Sequence, residues 1–362
     1  MGYHMPPSLH TLTPAAAKVH ALTEILLHSE VHGELRSAAQ DLYQLMCGFV
    51  GTDGHAPTTD EHANTNLPGG QAISPWGAGL CVLDYLRTTM FLRGVNTALA
   101  KAAERFPDET LEVLYAGCGL FATLVTSLAG RFNPEKVRFT LLDIHSVSLE
   151  GAKKVFLQLG LDPSLRECVI VDAAAYVPAK QPHVILVETM QRALDKEPQV
   201  AVTANLGAHL RAGGIFIPER ITVDAYLEYD SRKTPGLMAV QPLAEDQLLP
   251  APHRVSLGQL IDLTAKNAPT WRANPGNTQP TGPVLVPPLS VNLPADSIEA
   301  LRIALITEVT VLDSLKLSDN ESGITLPAFR RFKPNAGKVK IEFRYRTGNT
   351  PGFDYHWIKA RP

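Results

Sequence analysis

The chain has 362 residues, 45% of them apolar and 19% charged, with a formal net charge of −3 at pH 7. That length holds a large core and more than one domain, and a near-neutral balance without charged blocks argues against nucleic-acid and anionic-membrane partners. No apolar run is long enough to cross a bilayer, no secretory signal is legible, and Cys47, Cys81, Cys118 and Cys168 are too scattered for a zinc module or a disulfide scaffold; a cytoplasmic setting is expected.

Residues 14–50 carry Val19, Leu22, Leu26, Leu42, Leu45 and Met46 at helical spacing, which predicts one or two amphipathic helices. Residues 51–79 are rich in Gly, Pro, Thr, Asn and Asp and read as a loop or lid. His55 and His62 lie there without partners at metal-ligand spacing, so no metal is expected. Residues 81–106 read as a helix with Val82, Tyr85, Leu86, Thr89, Leu92 and Val95 buried. Asp84 and Arg87 would share one of its faces.

Residues 111–216 alternate five apolar runs (LEVLYA, VRFTLLD, ECVIVDA, HVILVE, GGIFIP) with helical stretches. That is the pattern of an α/β, Rossmann-like parallel sheet covered on both faces. Ligands of such sheets bind beyond the carboxyl ends of the strands. From Arg220, ITVDAYLEYD, LRIALITEVTVLDSLKLS and KVKIEFRYR alternate at period two and predict antiparallel, barrel-like β structure. Residues 272–294 should be irregular. With a boundary near Pro218, the expected units are residues 1–80 (helices and lid-like loop), 81–218 (nucleotide domain with its leading helix) and 219–362 (β domain).

The first strand runs into Gly117-Cys118-Gly119, a turn that lets backbone approach a ligand at a helix start. Asp143 ends the second strand and can accept both ribose hydroxyls; Asp172 follows the third and can accept from an adenine amino group. This order suits S-adenosyl-L-methionine. A dinucleotide fits less well, because Ala122 stands where GxGxxG has its third glycine. After the fourth strand come Glu188 and, nine positions on, Glu197. Paired carboxylates on one loop can grip the planar fork of a guanidinium.

From about Leu80 onward the chain resembles the protein arginine methyltransferase family. Asp84-Tyr85-Leu86-Arg87-Thr88 matches its Asp-x-x-Arg-Thr signature, Glu188, Met190 and Glu197 match its double-E loop, and Tyr355-His356-Trp357 approximates its Thr-His-Trp loop. The resemblance implies a nucleotide domain followed by a β-barrel. It implies that Arg87 binds the methionine carboxylate, that Met190 and Trp357 contact substrate beside Glu188 and Glu197, and that His356 pairs with Asp84. His356 would then be either a base or a structural tie. The chain departs from the family at Tyr115, Phe121 and Tyr355, lacks its tyrosine-rich leading helix, and shows no helical dimerisation arm. A homodimer stays open.

The implied reaction is methyl transfer from S-adenosyl-L-methionine to an arginine guanidinium, leaving S-adenosyl-L-homocysteine. Some bacterial relatives methylate free arginine in natural-product biosynthesis. This chain has no acidic run to groove a basic tail, so free L-arginine is the expected substrate, before peptide or protein arginine. A small-molecule or peptide O-methyltransferase on the same scaffold and a catalytically silent cofactor-binding partner are the other classes.

Overall fold

A computed structural model describes residues 13–52, 62–229, 254–271, 289–293, 301–331 and 337–359. Two helices, α1 (Pro14–His28) and α2 (His32–Val50), form an N-terminal hairpin. Leu26, Leu42 and Met46 are wholly buried in it. Arg93, from the helix beneath, donates to the carbonyls of Leu26 and Ser29 at 3.1 and 2.5 Å. That satisfies carbonyls left open at the end of α1.

The stretch read as an open loop is partly ordered. Strands β1 (Thr65–Leu67) and β2 (Gly70–Ala72) pair as an antiparallel hairpin, and helix α3 (Pro75–Leu80) follows. Pro75 at the first helical position and the Ser74 hydroxyl, accepting from Gly77 N–H at 3.1 Å, start a helix in glycine-rich sequence. His55 lies outside the described residues. The helix expected over residues 81–106 begins with a 3₁₀ turn, Cys81–Leu83, and continues as α4 (Tyr85–Arg105). Asp84 does not share a helix face with Arg87; it is the N-cap, accepting Arg87 N–H at 3.4 Å.

Strands β3 (Leu111–Ala116), β4 (Val137–Asp143), β5 (Leu165–Ile170), β6 (Val184–Val187) and β7 (Ile215–Ile217) form one parallel sheet in the order β5-β4-β3-β6-β7. Helices α5 (Thr123–Ala129), α6 (Ser146–Gln158) and α7 (Gln199–Leu206) lie in the connections. Val113 and Tyr115 enter one core, and Leu114 and Ala116 enter the other. A strand buried on both faces must be apolar at every position, which explains the unbroken runs. The chain turns to opposite sides after β3, so the ligand crevice falls at the carboxyl ends of β3 and its neighbours.

The second half is antiparallel. Strands β8 (Arg220–Tyr229), β9 (Arg254–Leu263), β10 (Leu289–Leu293), β11 (Leu301–Leu312), β12 (Leu315–Leu317), β13 (Ala328–Arg331), β14 (Gly337–Arg346) and β15 (Gly352–Lys359) make two sheets. One runs β12-β11-β8-β9 with β13 also on β11; the other runs β10-β14-β15. Among the described residues the two sheets do not close into a single barrel. Residues 272–294 lie outside the described residues except for β10, which is not irregular but pairs with β14. Helix α4 packs on the parallel sheet and also on β11 and β12, so the helix that carries Arg87 bridges both halves.

Candidate active site

The carboxyl ends of β3 to β6 and the start of α4 open onto one cavity, lined by Arg87, Gly117, Gly119, Asp143, Asp172, Glu188 and Glu197. Gly117 has φ +71°, and a Cβ there would sit 2.4 Å from Thr189 Cγ2. Only glycine passes between the end of β3 and the acidic loop. Asp143 Oδ2 accepts Gly119 N–H at 3.0 Å, and Oδ1 accepts His145 N–H at 2.9 Å. The carboxylate thus fixes the glycine turn, while each oxygen keeps a lone pair for a ligand hydroxyl. Asp172 Oδ1 accepts Ala174 N–H at 2.9 Å, which holds the loop that brings Asp172 to the cavity wall.

Glu188 leaves β6 directly. Its Oε2 accepts from Arg87 Nη2, and its Oε1 is buried without a hydrogen-bond partner. Glu197 is 7% exposed. Between them Ala193, Leu194 and Lys196 have φ of +57°, +52° and +67°. Such backbone costs on the order of 1 kcal/mol or more per residue without glycine, so neighbours must hold it. The β domain does so. Ala193 N–H donates to Thr307 Oγ1 at 2.7 Å, Tyr345 O–H donates to Leu194 O at 2.8 Å, and Lys196 N–H donates to Pro351 O at 2.9 Å. Gln199, wholly buried, props the base of the loop by accepting from Thr189 N–H at 3.0 Å and donating to Val187 O at 3.4 Å.

The β1–β2 hairpin is the cover. Leu67, Ala72 and Ile73 line the cavity. Gln71 N–H donates to Lys196 O at 2.7 Å, and Thr65 Oγ1 lies 3.0 Å from His145 Nε2. Gly70, at φ +148°, sits so close that a Cβ would meet the backbone of residues 196–198 at 2.7–2.8 Å. The hairpin therefore touches the acidic loop at one end and the segment after Asp143 at the other.

Burial, followed by the nearby Glu188 charge, pushes the Glu197 carboxyl up to about 7. Burial alone would depress the Arg87 guanidinium, but Cys81 and Glu188 beside it carry it above its ordinary value. Burial, then Glu188, raises the Tyr115 hydroxyl well above its usual range. Among the described residues, no group of three or more His, Cys, Asp or Glu is arranged to hold a metal ion.

Three expected site residues lie elsewhere. Met190 is 2% exposed and belongs to the hydrophobic core; it does not line the cavity. Asp84 does not pair with His356: its Oδ2 accepts from Ser322 Oγ at 2.6 Å and from Gly323 N–H at 2.8 Å. His356 is an exposed residue of β15, opposite Glu342, and lines a different pocket. Trp357 follows it in the strand, and its side chain lies outside the described residues. The residues that sequence reasoning passed over (Gln199, Thr307, Ser322, Tyr345) are ordinary polar groups whose only signal is full or near-full burial.

No protein-family model matches the sequence, and no curated protein does. A solved structure of the Trypanosoma brucei PRMT1 enzyme–prozyme heterotetrameric complex with AdoHcy is similar over 78% of this chain and 92% of that one, at 12% identity and a TM-score of 0.50. Two structures of PRMT6, one with SAH, cover 77% and 78% of this chain and 98% of theirs, at 15% and 13% identity and TM-scores of 0.49 and 0.48. The chain thus shares its fold with the first of these: a Rossmann-like parallel sheet followed by antiparallel β structure.

Proposed function

We propose that the chain is an S-adenosylmethionine-dependent N-methyltransferase acting on the guanidinium of arginine, with free L-arginine as its preferred substrate. One observation carries the reading. Glu188 Oε1 is buried and unpartnered in the cavity that also holds Glu197. A buried anionic oxygen is costly until a donor reaches it. A guanidinium, with its forked N–H donors, can serve two carboxylates at once. The rest of the cavity fits the cofactor: the Gly117 turn leaves room for it, Asp143 suits ribose hydroxyls, Asp172 suits an adenine amino group, and Arg87 suits the carboxylate of a methionine arm.

S-adenosylmethionine, when bound, supplies an electrophilic methyl group. The chain's own residues make the acceptor ready. Glu188 and Glu197 accept guanidinium N–H bonds and draw the positive charge toward themselves, so the remaining nitrogen keeps more of its lone pair. Orientation of that kind contributes to rate without new covalent chemistry. Arg87, bonded to Glu188 Oε2, fixes which oxygen faces the acceptor. Glu197, with its carboxyl raised to about 7, is matched to accept the proton that the methylated nitrogen must lose at neutral pH.

The test is incubation with isotopically labelled S-adenosylmethionine and, separately, free arginine, an arginine peptide and hydroxyl acceptors, followed by mass spectrometry. Label on the guanidine of free arginine is the expected result. Label only on oxygen, or on no acceptor, overturns the reading.

A further inference from the structure

Glu188 and Glu197 face one cavity, and like charges in one cavity repel. The chain between them has a single turn of 3₁₀ helix, Arg192–Leu194, and no strand. The β domain bonds the crown of that loop, but the two ends that carry the carboxylates need a tie of their own.

One side chain supplies it. Gln199 opens α7 two residues after Glu197 and is wholly buried, outside the cavity lining. Its Oε1 accepts from Thr189 N–H at 3.0 Å and from Thr189 Oγ1 at 3.2 Å. Its Nε2 donates to Val187 O at 3.4 Å and to Thr203 Oγ1 at 3.3 Å. Two acceptor sites and two N–H donors are the whole capacity of a carboxamide, and all are used. Three of these bonds go to the neighbours of Glu188. An ionised glutamate has no donor for the Val187 carbonyl, and asparagine is one methylene too short. Thr189 is seated from its other side as well. A Cβ on Gly117 would come within 2.4 Å of Thr189 Cγ2, so that methyl packs on the glycine turn.

We propose that Gln199 is a positioning residue that sets the separation of Glu188 and Glu197, by fastening residues 187 and 189 to the helix that begins just after Glu197. The inference rests on the paired-glutamate reading above. Without this strut the two carboxylates move apart under their own repulsion, and Glu197 gains water. Its carboxyl, at about 7, reports the separation: burial and then Glu188 hold it up, and Arg87 opposes them. Cys81 and Tyr115 line the same cavity and stay neutral, since burial raises both.

Carbon-detected NMR titration of labelled glutamate, with the Glu197 resonance assigned from Glu197→Gln, reads this separation with no guanidine present. Gln199→Met keeps the side-chain length and removes every bond of the strut. Its Glu197 midpoint should fall from about 7 toward the ordinary carboxylate value, by roughly half a pH unit or more. Thr189→Val loses the hydroxyl bond but keeps a methyl for Gly117, so it should shift the midpoint the same way by less. Thr203→Val removes only the bond within α7; it should lower Tm and leave the midpoint in place. An unmoved midpoint in both Gln199→Met and Thr189→Val overturns the proposal, as does an equal shift in Thr203→Val. If Gln199→Met does not fold, an unmoved midpoint in Thr189→Val is sufficient to overturn it. L-arginine binding to the S-adenosylhomocysteine-loaded protein should also weaken about tenfold in Gln199→Met, as misplaced partners lose orientation. A shifted midpoint in a protein that binds no arginine supports the strut and overturns the guanidine reading instead.

Discussion

Arg87 holds Glu188 by one oxygen only: Nη2 donates to Oε2, and Oε1 is left buried without a partner. The arginine comes from the first turn of α4 and the glutamate from the end of β6, so the contact joins the leading helix to the sheet. An ionised side chain with one satisfied oxygen and one open one is poised for a cationic ligand.

Glu188→Gln keeps a carbonyl oxygen for Arg87 but loses the charge that draws on the guanidinium. Its turnover should fall by roughly 10²-fold or more, the range seen when a positioned electrostatic group is removed. S-adenosylhomocysteine affinity should change by no more than a few-fold. Single-turnover rates and calorimetry separate the two, and turnover near that of the unaltered protein would remove Glu188 from the mechanism.

Glu197 sets the pH dependence. Its carboxyl is raised from 4.5 to about 7 by burial and then by Glu188. It must be ionised to accept from a guanidinium, so kcat/KM should rise with pH through about 7 and level off above. Stability runs the other way. The folded chain keeps a proton that the unfolded chain has lost, so the stabilisation is fully present below about 4.5 and is lost as pH rises through about 7. At about 1.4 kcal/mol per pH unit the loss is at most about 3.5 kcal/mol. Glu197→Gln should therefore raise Tm at pH 8 more than at pH 5 and abolish the acid limb of the rate profile.

Asp84 answers to Ser322, not to His356. Double-mutant cycles on unfolding free energy should give a coupling of about 1 kcal/mol for Asp84→Asn with Ser322→Ala, and about zero for Asp84→Asn with His356→Ala. Because Asp84 caps the helix that presents Arg87, Ser322→Ala should also weaken binding of S-adenosylhomocysteine. A strong Asp84–His356 coupling would reinstate the pair that the sequence resemblance implied.

Tyr345 supports the acidic loop from the β domain. Tyr345→Phe leaves the Leu194 carbonyl without its donor while preserving the ring that packs on Phe353. A loss of about 1–2 kcal/mol in stability is expected from a buried group left unpaired. The left-handed residues of the loop should relax with it and lower kcat more than they raise KM. Chemical denaturation and steady-state kinetics on the same variant check both.

The sequence alone determined the layered architecture and the residues around the cavity. Continuous apolar runs mark strands buried on both faces, and the residues just beyond them (Gly117, Asp143, Asp172, Glu188) share a crevice because parallel strands end on one side. Glu197 was legible only through the double-E resemblance and the segments around it, since two glutamates nine apart do not by themselves mark a site. Tertiary structure alone decided what lies far apart in sequence and carries no local period. The hairpin at residues 65–72 forms by docking on Lys196, and β10 by pairing with β14. Ser322 reaches Asp84 across 238 positions, and Tyr345 reaches Leu194 across 151. His356, placed beside Asp84 by motif, lines a different pocket instead. Spacing within one element fixes a side chain's direction, but the distance between elements depends on how whole sheets pack, and no local pattern encodes that.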